Sequence, residues 1–582
     1  METSLPSGPF VLLDDARAGG SPARLYHSPS EILTTHDPLE VPALIDRLGE
    51  GGEWAGYLSY EAGLALEPRL ATRACPPAGA LLWFARFDRY EEMAAEAVAG
   101  WLPDPAGGWA GTPRPRQRRA AYDAALAQVQ TLIEAGDIYQ ANLTIRADVP
   151  VAGDPLALYA GLRQRAQAGF GGVIWTGQDW FLSLSPELFF ALQGGKVTTK
   201  PMKGTSVRGG DPGEDAMFKA RLAADPKQRA ENLMIVDLLR NDVSRVAVPG
   251  SVEVPHLFAV ESYPTVHQMI STITARLAPG ETVSSLLRAI YPCGSITGAP
   301  KIRAMEVINL VEAEPRGIYT GSIGRIDSQG DAAFNVAIRT LHIPSGATRA
   351  TLGLGGGIVA DSRSGEEWAE CLAKGRFVPD PRRFDLIETM RFDPFDGIKL
   401  LDFHLARLAA SAATFGIAMD RHAVRNALQA ATFRLDRPHR VRLLLSATGQ
   451  IAIEIGEAPP LVEGPLAVQL VPLPVSPRDF RLRHKTTDRA FYDQARQNAG
   501  AAEVLFVDPN GFLTEGSFTN IFLERDGLLL TPPLSRGLLP GALRAALLAE
   551  GRAREADLRE ADLAGGFFLG NALRGLFPAR LA

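Results

Sequence analysis

Cysteine is scarce in this chain, which has 582 residues and three thiols. Cys75, Cys293 and Cys371 are scattered along it, with no spacing typical of metal ligands. Thiols this few and this far apart do not make the disulfide framework on which small secreted domains depend. The sequence therefore favours a reducing compartment and argues against a cysteine-based metal site.

Long apolar runs are also missing, and so is any excess of positive charge. No stretch approaches the roughly 18 apolar residues that cross a bilayer. The first residues, METSLPSGPFVLLDD, lack the basic start of a secretion signal. The formal net charge of −6 gives no sign of nucleic-acid binding. We therefore expect a cytoplasmic protein that binds neither membrane nor nucleic acid.

The segment Ser185–Arg208, SPELFFALQGGKVTTKPMKGTSVR, has the pattern of a β-hairpin. The apolar run LFFAL and the β-branched KVTT flank two glycines that favour a tight turn. Such a hairpin brings Glu187 and Lys203 to one cleft. There a lysine of lowered pKa is a nucleophile, and a carboxylic acid protonates a leaving oxygen. From these residues alone, an exposed ion pair is the alternative.

SPEL followed by PMKGT resembles the chorismate-utilising enzymes, a family with anthranilate, isochorismate, salicylate and aminodeoxychorismate synthases. A lysine before Gly-Thr is similar to the aminodeoxychorismate synthases, whereas anthranilate synthases typically have a small residue there. The resemblance implies that Lys203 attacks chorismate covalently and that Glu187 protonates the departing hydroxyl. Gln140 stands where isochorismate and salicylate synthases place a water-activating lysine. Because glutamine is not a general base at neutral pH, an amine nucleophile is favoured.

Two further segments carry carboxylates that the resemblance assigns to a magnesium ion. ENLMIVDLLRND is nearly the signature of the family and contains Glu231; GEEWAECLAKG contains Glu367 and Glu370, three apart and so on one face of a helix. Mg²⁺ prefers oxygen ligands and usually keeps several waters. The resemblance implies that Glu231 and Glu370 bind Mg²⁺ directly and Glu367 through water. Without the resemblance, these glutamates would be expected to be solvated surface residues.

Several blocks between these segments resemble parts of the family that hold the substrate. A planar guanidinium suits a carboxylate, and the glycine run GLGGG lacks the spacing of a dinucleotide loop. Its backbone amides are therefore expected to approach a substrate carboxylate. The residues that the resemblance implies for chorismate binding are Tyr319, Arg339, Gly355, Gly356 and Lys374.

After the Pro/Arg-rich RFVPDPRRF the pattern changes, and HKTTDR, TEGSFTNIF and GLLPGALR resemble the fold type IV pyridoxal phosphate enzymes. This family includes branched-chain aminotransferases and aminodeoxychorismate lyases. The cofactor needs a lysine, an acid opposite its ring nitrogen and a phosphate site. The resemblance assigns Lys485 as the lysine and catalytic base, Glu515 as the acid, and Arg407 and Asn571 to the phosphate. GLLPGALR also predicts a helix that begins at Gly541, whose amides suit a phosphate.

The fold class expected from these patterns and resemblances is α+β, with four parts. Residues 1–110 form an N-terminal subdomain and 111–376 a chorismate-binding core of α/β-sandwich type. Residues 377–383 are a linker, and 384–582 a fold type IV domain. A helix is predicted for AAYDAALAQVQTLIEAG, and strand character for the stretch Trp54–Gly63.

Together the two resemblances imply consecutive reactions on one chain. Chorismate and ammonia would give 4-amino-4-deoxychorismate, and elimination of pyruvate would then give 4-aminobenzoate, a folate precursor. The sequence has no glutaminase arrangement, so a separate glutamine amidotransferase subunit is implied as the ammonia source. One alternative is an anthranilate synthase fused to an amino-acid transaminase. Lys203 argues against its front half, as does Gln268, which stands where anthranilate synthases tend to have histidine. The other is a catalytically silent C-terminal interaction module.

Overall fold

The computed structural model of the chain describes residues 6, 8–71, 79–263, 266–460, 462 and 464–582. These residues divide into two units. The first holds the described residues of Met1–Leu102, Thr112–Val149 and Tyr159–Val378; the second holds Pro103–Gly111, Pro150–Leu158 and the described residues of Pro379–Ala582. Cys75 lies outside the described residues.

The first unit contains two large antiparallel sheets. Numbered along the chain and given in spatial order, the strands of one sheet are β17 (Gly298–Ala299), β9 (Gln140–Gly153), β21 (Arg349–Ile358), β20 (Thr340–Pro344), β11 (Asp179–Ser185), β10 (Phe170–Trp175), β1 (Phe10–Asp14), β2 (Ala23–His27) and β6 (Glu91–Met93), with β8 (Arg114–Pro115) beside β9. Those of the other are β14 (Met202–Val207), β16 (Val266–Arg276), β13 (Lys196–Lys200), β12 (Leu188–Gln193), β19 (Ala332–Asn335), β18 (Ser322–Ile326), β4 (Glu53–Leu58), β5 (Leu82–Phe87) and β3 (Glu31–Thr35), with β15 (Glu253–Ser262) beside β16.

The two sheets of the first unit pack face to face through aromatic and aliphatic side chains. Tyr57 of β4 contacts Phe181 of β11, with ring centroids 4.6 Å apart. Val11 and Ile174 of the first sheet belong to the same buried cluster as Ala85 of the second. This is the sandwich that the sequence predicts for the core.

Ten α-helices lie before Val378 among the described residues, and several cover the second sheet. They are α1 (Val41–Leu48), α2 (Tyr60–Leu66), α3 (Val98–Trp101), α4 (Arg119–Glu134), α5 (Pro155–Ala166), α6 (Pro212–Ala224), α7 (Pro226–Ser244), α8 (Val283–Ile290), α9 (Lys301–Val311) and α10 (Ser364–Ala373). Asp225 caps α7 by accepting from the Gln228 amide, and Pro226 suits its first turn. Ile235 and Leu239 then lie on one face of α7, buried in the same cluster as Phe190 of β12.

The predicted hairpin is present as β12 and β13. Gly194 and Gly195 form its turn with φ values of 55° and 75°, which glycine adopts without the steric cost of a side chain. The helix predicted after the Pro/Arg-rich segment is α4. The stretch Trp54–Gly63 differs from the expectation: its first half is β4, but Ser59 accepts from the Ala62 amide and so starts α2. That cap ends the strand.

The second unit has two sheets of its own. The smaller, in spatial order, contains β23 (Gly397–Ile398), β22 (Leu386–Asp393), β24 (His439–Leu445) and β25 (Ile451–Glu457). The larger contains β28 (Leu513–Gly516), β27 (Glu503–Val507), β26 (Leu466–Pro472), β33 (Gly575–Leu581), β32 (Phe567–Asn571), β29 (Asn520–Arg525), β30 (Leu528–Thr531) and β31 (Ala553–Glu555). Its helices are α11 (Leu401–Phe415), α12 (Arg421–Thr432), α13 (Phe480–Arg483), α14 (Ala490–Asn498) and α15 (Ala542–Ala549).

The segment Pro103–Gly111 contributes to the core of the second unit. It contains β7 (Gly108–Ala110), which pairs with the Val151–Gly153 end of β9. Trp109 is buried there, with its ring 4.8 Å from that of Phe415. The chain as a whole is α+β, as predicted. Across the described ranges, no helix is long and apolar enough to cross a membrane.

Candidate functional site

In the first unit, Lys203 of β14 lies between α7 and β21. We call β21 the glycine strand, because it contains Gly353 and Gly355–Gly357. Its Nζ is 3.5 Å from Glu231 Oε2. A Cβ added at Gly357 would lie 2.8 Å from Lys203 Nζ and 2.9 Å from Gln140 Nε2. A side chain at position 357 would therefore have to displace the ends of both side chains.

Gln140, at the start of β9, is a buried polar side chain without a partner. It is fully buried, and neither atom of its amide has a hydrogen-bond partner within the described ranges. Burying an amide without a hydrogen bond costs free energy. The Gln140 amide is therefore available to a polar group that binds beside Lys203.

Glu187 precedes the hairpin and is buried. Burial raises the pKa of Glu187 to about 7, and this exceeds the opposing effect of a hydrogen bond from Ser295. Ser295 Oγ donates to Glu187 Oε1 at 2.8 Å, and the nearby charge of Lys203 also favours the ionised form. A carboxyl with this pKa is protonated often enough near neutrality to act as an acid. Ser295 was not singled out from the sequence.

The carboxylates of α10 face Gly356. A Cβ added at Gly356 would lie 3.4 Å from Glu367 Oε2 and 3.9 Å from Glu370 Oε1. Lys374 Nζ lies 2.8 Å from Glu370 Oε1 and donates to the carbonyl of Gly355 at 2.8 Å. Burial raises the pKa of Glu367, and the like charge of Glu370 adds to that rise. A cation near both would remove this repulsion.

The oxygen donors therefore suit Mg²⁺ in kind. In the described part of the chain, however, no three His, Cys, Asp or Glu side chains come close enough together to form a metal site. Glu231 and Glu370 instead pair with Lys203 and Lys374. Magnesium at this position remains a prediction.

Arg339 immediately precedes β20, and Tyr319 lies in the segment between α9 and β18. Burial lowers the pKa of the Arg339 guanidinium, which forms no hydrogen bond or ion pair with any described residue. An unpaired, largely buried arginine is costly, so an anion is the expected ligand. Burial raises the pKa of the Tyr319 hydroxyl, which keeps its proton. A Cβ at Gly353 would lie 2.0 Å from the Tyr319 ring, so glycine is required for this ring to pack against β21.

The second unit contains a cavity of about 420 Å³ whose lining includes Lys485, Glu515, Arg407 and Asn571. The cavity thus brings together the four residues that the sequence assigned to one cofactor. Lys485 Nζ donates to Thr389 Oγ1 at 3.0 Å. Burial, together with the charge of Arg407, lowers the pKa of Lys485 to about 7. The amine is therefore partly neutral near neutral pH, which makes it a nucleophile and a base.

Glu515 is held in this cavity by three donors. Tyr492 donates its hydroxyl to Oε1, and the Leu539 amide donates to Oε2 at 3.0 Å. Burial raises the pKa of Glu515 to about 7, in spite of these hydrogen bonds. The Asn520 amide is the third donor, at 3.5 Å from Oε2. A buried acid held in this way is suited to share a proton with a base placed opposite it.

Arg407 and Asn571 are already engaged by the protein. Arg407 donates to both carboxylate oxygens of Glu388 and to the carbonyl of Pro540. Glu388 also accepts from His404 Nδ1 at 2.6 Å. Asn571 donates to the Phe518 carbonyl at 3.1 Å and orders the turn that follows it. Both residues therefore shape the wall of the cavity, and their contact with a phosphate remains a prediction.

The predicted helix start at GLLPGALR is present. Gly541 is the N-cap of α15, and both Gly541 and Ala542 line the cavity. A Cβ at Gly541 would lie 2.0 Å from Asn520 Oδ1, so glycine is needed for the close approach. Thr389 and Glu388 were missed from the sequence, because their neighbours in the cavity come from distant parts of the chain.

Comparison with known proteins gives family matches to both halves of the chain. A family described as chorismate binding enzyme matches residues 24–379, and one described as amino-transferase class IV matches 385–582. The aminodeoxychorismate synthase component 1 of Klebsiella aerogenes is 45% identical over 261 residues, which are 45% of this chain and 57% of that protein. The aminodeoxychorismate synthase of Streptomyces pristinaespiralis is 37% identical over 358 residues, which are 56% of this chain and 50% of that protein.

The chain thus spans about half the length of the curated relatives it matches. Among solved structures, anthranilate synthase component I from Streptococcus pneumoniae TIGR4 superposes with a TM-score of 0.53 at 24% identity. That match covers 64% of this chain and 92% of the other, and it shows that the two share a fold. The chain belongs to the chorismate-binding enzyme family, with an aminotransferase class IV domain following in the same chain.

Proposed function

We propose that this enzyme makes 4-aminobenzoate from chorismate and ammonia in two steps, one in each unit. The observation that carries the proposal is that each unit places a lysine at one polar site with a glutamate whose pKa is raised to about 7. The pairs are Lys203 with Glu187 and, in one cavity, Lys485 with Glu515. The names of the relatives, aminodeoxychorismate synthases, support the first step. Incubation with chorismate, Mg²⁺ and an ammonium salt, followed by identification of the products, tests it.

In the first step, Lys203 Nζ forms a bond to a carbon of the chorismate ring, and the ring hydroxyl leaves. Glu187 gives its proton to that oxygen, so the leaving group departs as water. Ammonia then forms a bond to the ring and displaces Lys203, which leaves 4-amino-4-deoxychorismate. We infer that the ammonia comes from a separate glutamine amidotransferase subunit, as the designation component 1 of the Klebsiella aerogenes relative suggests.

The site favours an amine over water as the attacking group. Gln140 lies beside Lys203, against Gly357, and its amide cannot take a proton from water at neutral pH. Arg339, Tyr319 and the amides of the glycine strand are the groups that we assign to the carboxylates of chorismate.

Mg²⁺, when bound, would neutralise a carboxylate of chorismate and fix its position. Glu231 and Glu370 would hold it directly and Glu367 through water, since their oxygens are the donors near the glycine strand. The lysines that now pair with Glu231 and Glu370 would be released towards the substrate.

We expect Glu231→Gln and Glu370→Gln to raise the Mg²⁺ concentration needed for half-maximal synthase activity by about ten- to hundredfold, because a neutral amide is a poorer ligand for a hard dication. Titration of each variant with Mg²⁺ measures this. Glu366→Gln, on the exposed side of α10, is the matched control and should titrate as the wild type does. Unchanged Mg²⁺ titrations in both variants would rule out the assignment.

The raised pKa of Glu187 predicts how the synthase reaction depends on pH. The protonated carboxyl is the active form, so kcat/KM should fall as pH rises above about 7, with unprotonated ammonia held constant. Ser295→Ala removes a hydrogen bond that stabilises the ionised form, so the fall should move to higher pH.

A pH profile of kcat/KM for wild type, Ser295→Ala and the surface control Ser328→Ala measures both effects. A profile that Ser295→Ala leaves in place, or moves to lower pH, contradicts the acid role of Glu187. The control should follow the wild type, since Ser328 is exposed on the turn after β18.

In the second unit, the aminotransferase class IV domain implies pyridoxal 5′-phosphate. The cavity fits it: a partly neutral buried lysine, a buried acid and the start of α15 surround one space. Lys485 would hold the cofactor, Glu515 its ring nitrogen, and Arg407, Asn571 and the amides at Gly541 its phosphate. When bound, the cofactor supplies an electron sink.

Three residues of this cavity have separate roles in the elimination. Lys485 would serve as the base that takes the proton from the ring carbon bearing the amine. The bond from the ring to the enolpyruvyl oxygen breaks as the ring becomes aromatic, and the proton that Lys485 took passes to the released enol, which gives pyruvate. Thr389 holds Lys485 in position through its hydroxyl. Glu515 would hold a proton on the ring nitrogen of the bound cofactor. The product is 4-aminobenzoate.

A further inference from the structure

The smaller sheet of the second unit presents a cationic face to the cavity. Along β24, Val441 and Leu443 are buried in the core, so the alternate residues Arg440 and Arg442 point to the other face. Both arginines line the cavity.

Arg442 lies next to the reactive lysine. In the pairing of β22 with β24, Arg442 is directly opposite Thr389, whose hydroxyl accepts from Lys485 Nζ. The charge of Arg442 is one of those that lower the pKa of Lys485, after burial and the charges of Arg407 and Arg489. An anion held by Arg442 would therefore lie beside the reacting amine.

The positive charge of these two arginines is poorly compensated. Arg440 forms no ion pair with any described residue, and a Cβ at Gly456 would lie 3.1 Å from its Nη2, so glycine leaves space for the guanidinium over β25. The carboxylate nearest Arg442 is that of Glu454, 3.8 Å away and 56% exposed. By contrast, Arg407 is neutralised by two hydrogen bonds to Glu388.

A third arginine reaches the same cavity without satisfying all its donors. Arg489 stacks on the Tyr492 ring at 4.5 Å, and its Nη1 is buried without a hydrogen-bond partner among the described residues. These arginines offer donors in the cavity beyond those that one phosphate group at the start of α15 uses, and a second anionic group can bind to them.

We propose that Arg440 and Arg442 form a carboxylate subsite that makes the second unit selective for a substrate with two carboxylates. The inference rests on the proposed function, in which the substrate of this unit, 4-amino-4-deoxychorismate, carries a ring carboxylate and an enolpyruvyl carboxylate. An arginine binds a carboxylate through paired hydrogen bonds, so two arginines on one strand hold the substrate through a group other than its amine. A transaminase for apolar amino acids has no use for this subsite.

The first test is steady-state kinetics on supplied 4-amino-4-deoxychorismate. The holoenzymes of Arg440→Gln, Arg442→Gln and the double variant should show KM raised by about ten- to hundredfold, with kcat lowered much less, because the lost hydrogen bonds bind a charged group. Cofactor affinity should be unchanged. Arg437→Gln, which changes an exposed arginine just before β24, is the matched control and should keep the wild-type KM.

The second test measures binding without turnover. Calorimetric titration of the wild-type holoenzyme should show tighter binding of isophthalate, which has two carboxylates, than of benzoate, which has one. The double variant should lose that preference. Weakened cofactor binding in the double variant would overturn the inference, because the arginines would then serve the phosphate.

The two hypotheses fail in different ways. If the double variant keeps the wild-type KM and the preference for isophthalate, the subsite is wrong, while the lyase activity stands. If the wild type does not convert 4-amino-4-deoxychorismate but still prefers isophthalate in a manner that needs both arginines, the subsite is supported and the proposed function is wrong.

Discussion

Lys485→Ala is expected to stop the enzyme halfway, at 4-amino-4-deoxychorismate. The change removes both the attachment point of the cofactor and the base that takes the ring proton, while the first unit keeps Lys203 and Glu187. Formation of 4-aminobenzoate should fall by about 10³-fold or more, equivalent to roughly 4 kcal/mol of barrier. A chromatographic time course with chorismate, Mg²⁺ and ammonium measures both compounds.

Two comparisons make this result specific. Lys399→Ala changes an exposed lysine of the same unit and should leave 4-aminobenzoate formation unchanged. The visible absorbance of the holoenzyme should be altered in Lys485→Ala and unaltered in Lys399→Ala. Undiminished 4-aminobenzoate from Lys485→Ala would show that the second unit is not the lyase, and would favour a silent module.

Lys203→Ala is expected to have the opposite effect: the first reaction is lost and the second is kept. Without the covalent nucleophile, formation of 4-amino-4-deoxychorismate from chorismate should fall by about 10³-fold, since Gln140 cannot take its place. Conversion of supplied 4-amino-4-deoxychorismate to 4-aminobenzoate should continue at the wild-type rate, because it takes place in the other unit. Both rates are measured by the same chromatographic method.

The matched control for Lys203→Ala is Lys196→Ala, which changes an exposed lysine on β13 of the same hairpin. It should keep both activities. Full synthase activity in Lys203→Ala would exclude the covalent role of this lysine. A mass increase of the wild-type protein on exposure to chorismate without ammonia, absent in Lys203→Ala, would support it directly.

Much of the local structure could be predicted from the sequence, because its signals are local. The glycine pair of the hairpin, the periodic apolar positions of α7 and the helix start at Gly541 each depend on a few neighbouring residues. Where the sequence was misread, a second local signal competed with the first. In WAGYLSYEAG, the cap at Ser59 turns a strand into a helix within two residues.

The assignment of Pro103–Gly111 to the second unit had no local signal. It depends on Trp109 meeting Phe415, about three hundred positions along the chain, and such pairings are set by packing and not by pattern. A linear division of the chain into consecutive domains does not foresee an insertion of this kind.

The candidate sites also combine residues that have local sequence signals with residues that do not. The motifs identified Lys203, Lys485 and Glu515, because their neighbours in sequence are characteristic. The residues that set their properties lie far away in sequence: Ser295 beside Glu187, and Thr389 beside Lys485. The raised or lowered pKa values come mainly from burial, which depends on the whole fold.

One measurement tests the central claim most directly: identification of every product that the wild-type enzyme forms from chorismate, Mg²⁺ and ammonium, with pyridoxal 5′-phosphate supplied. The proposed function predicts 4-aminobenzoate and pyruvate in equal amounts, with 4-amino-4-deoxychorismate as the transient compound before them. Anthranilate as the main product would contradict the account, and would support an anthranilate synthase joined to a transaminase.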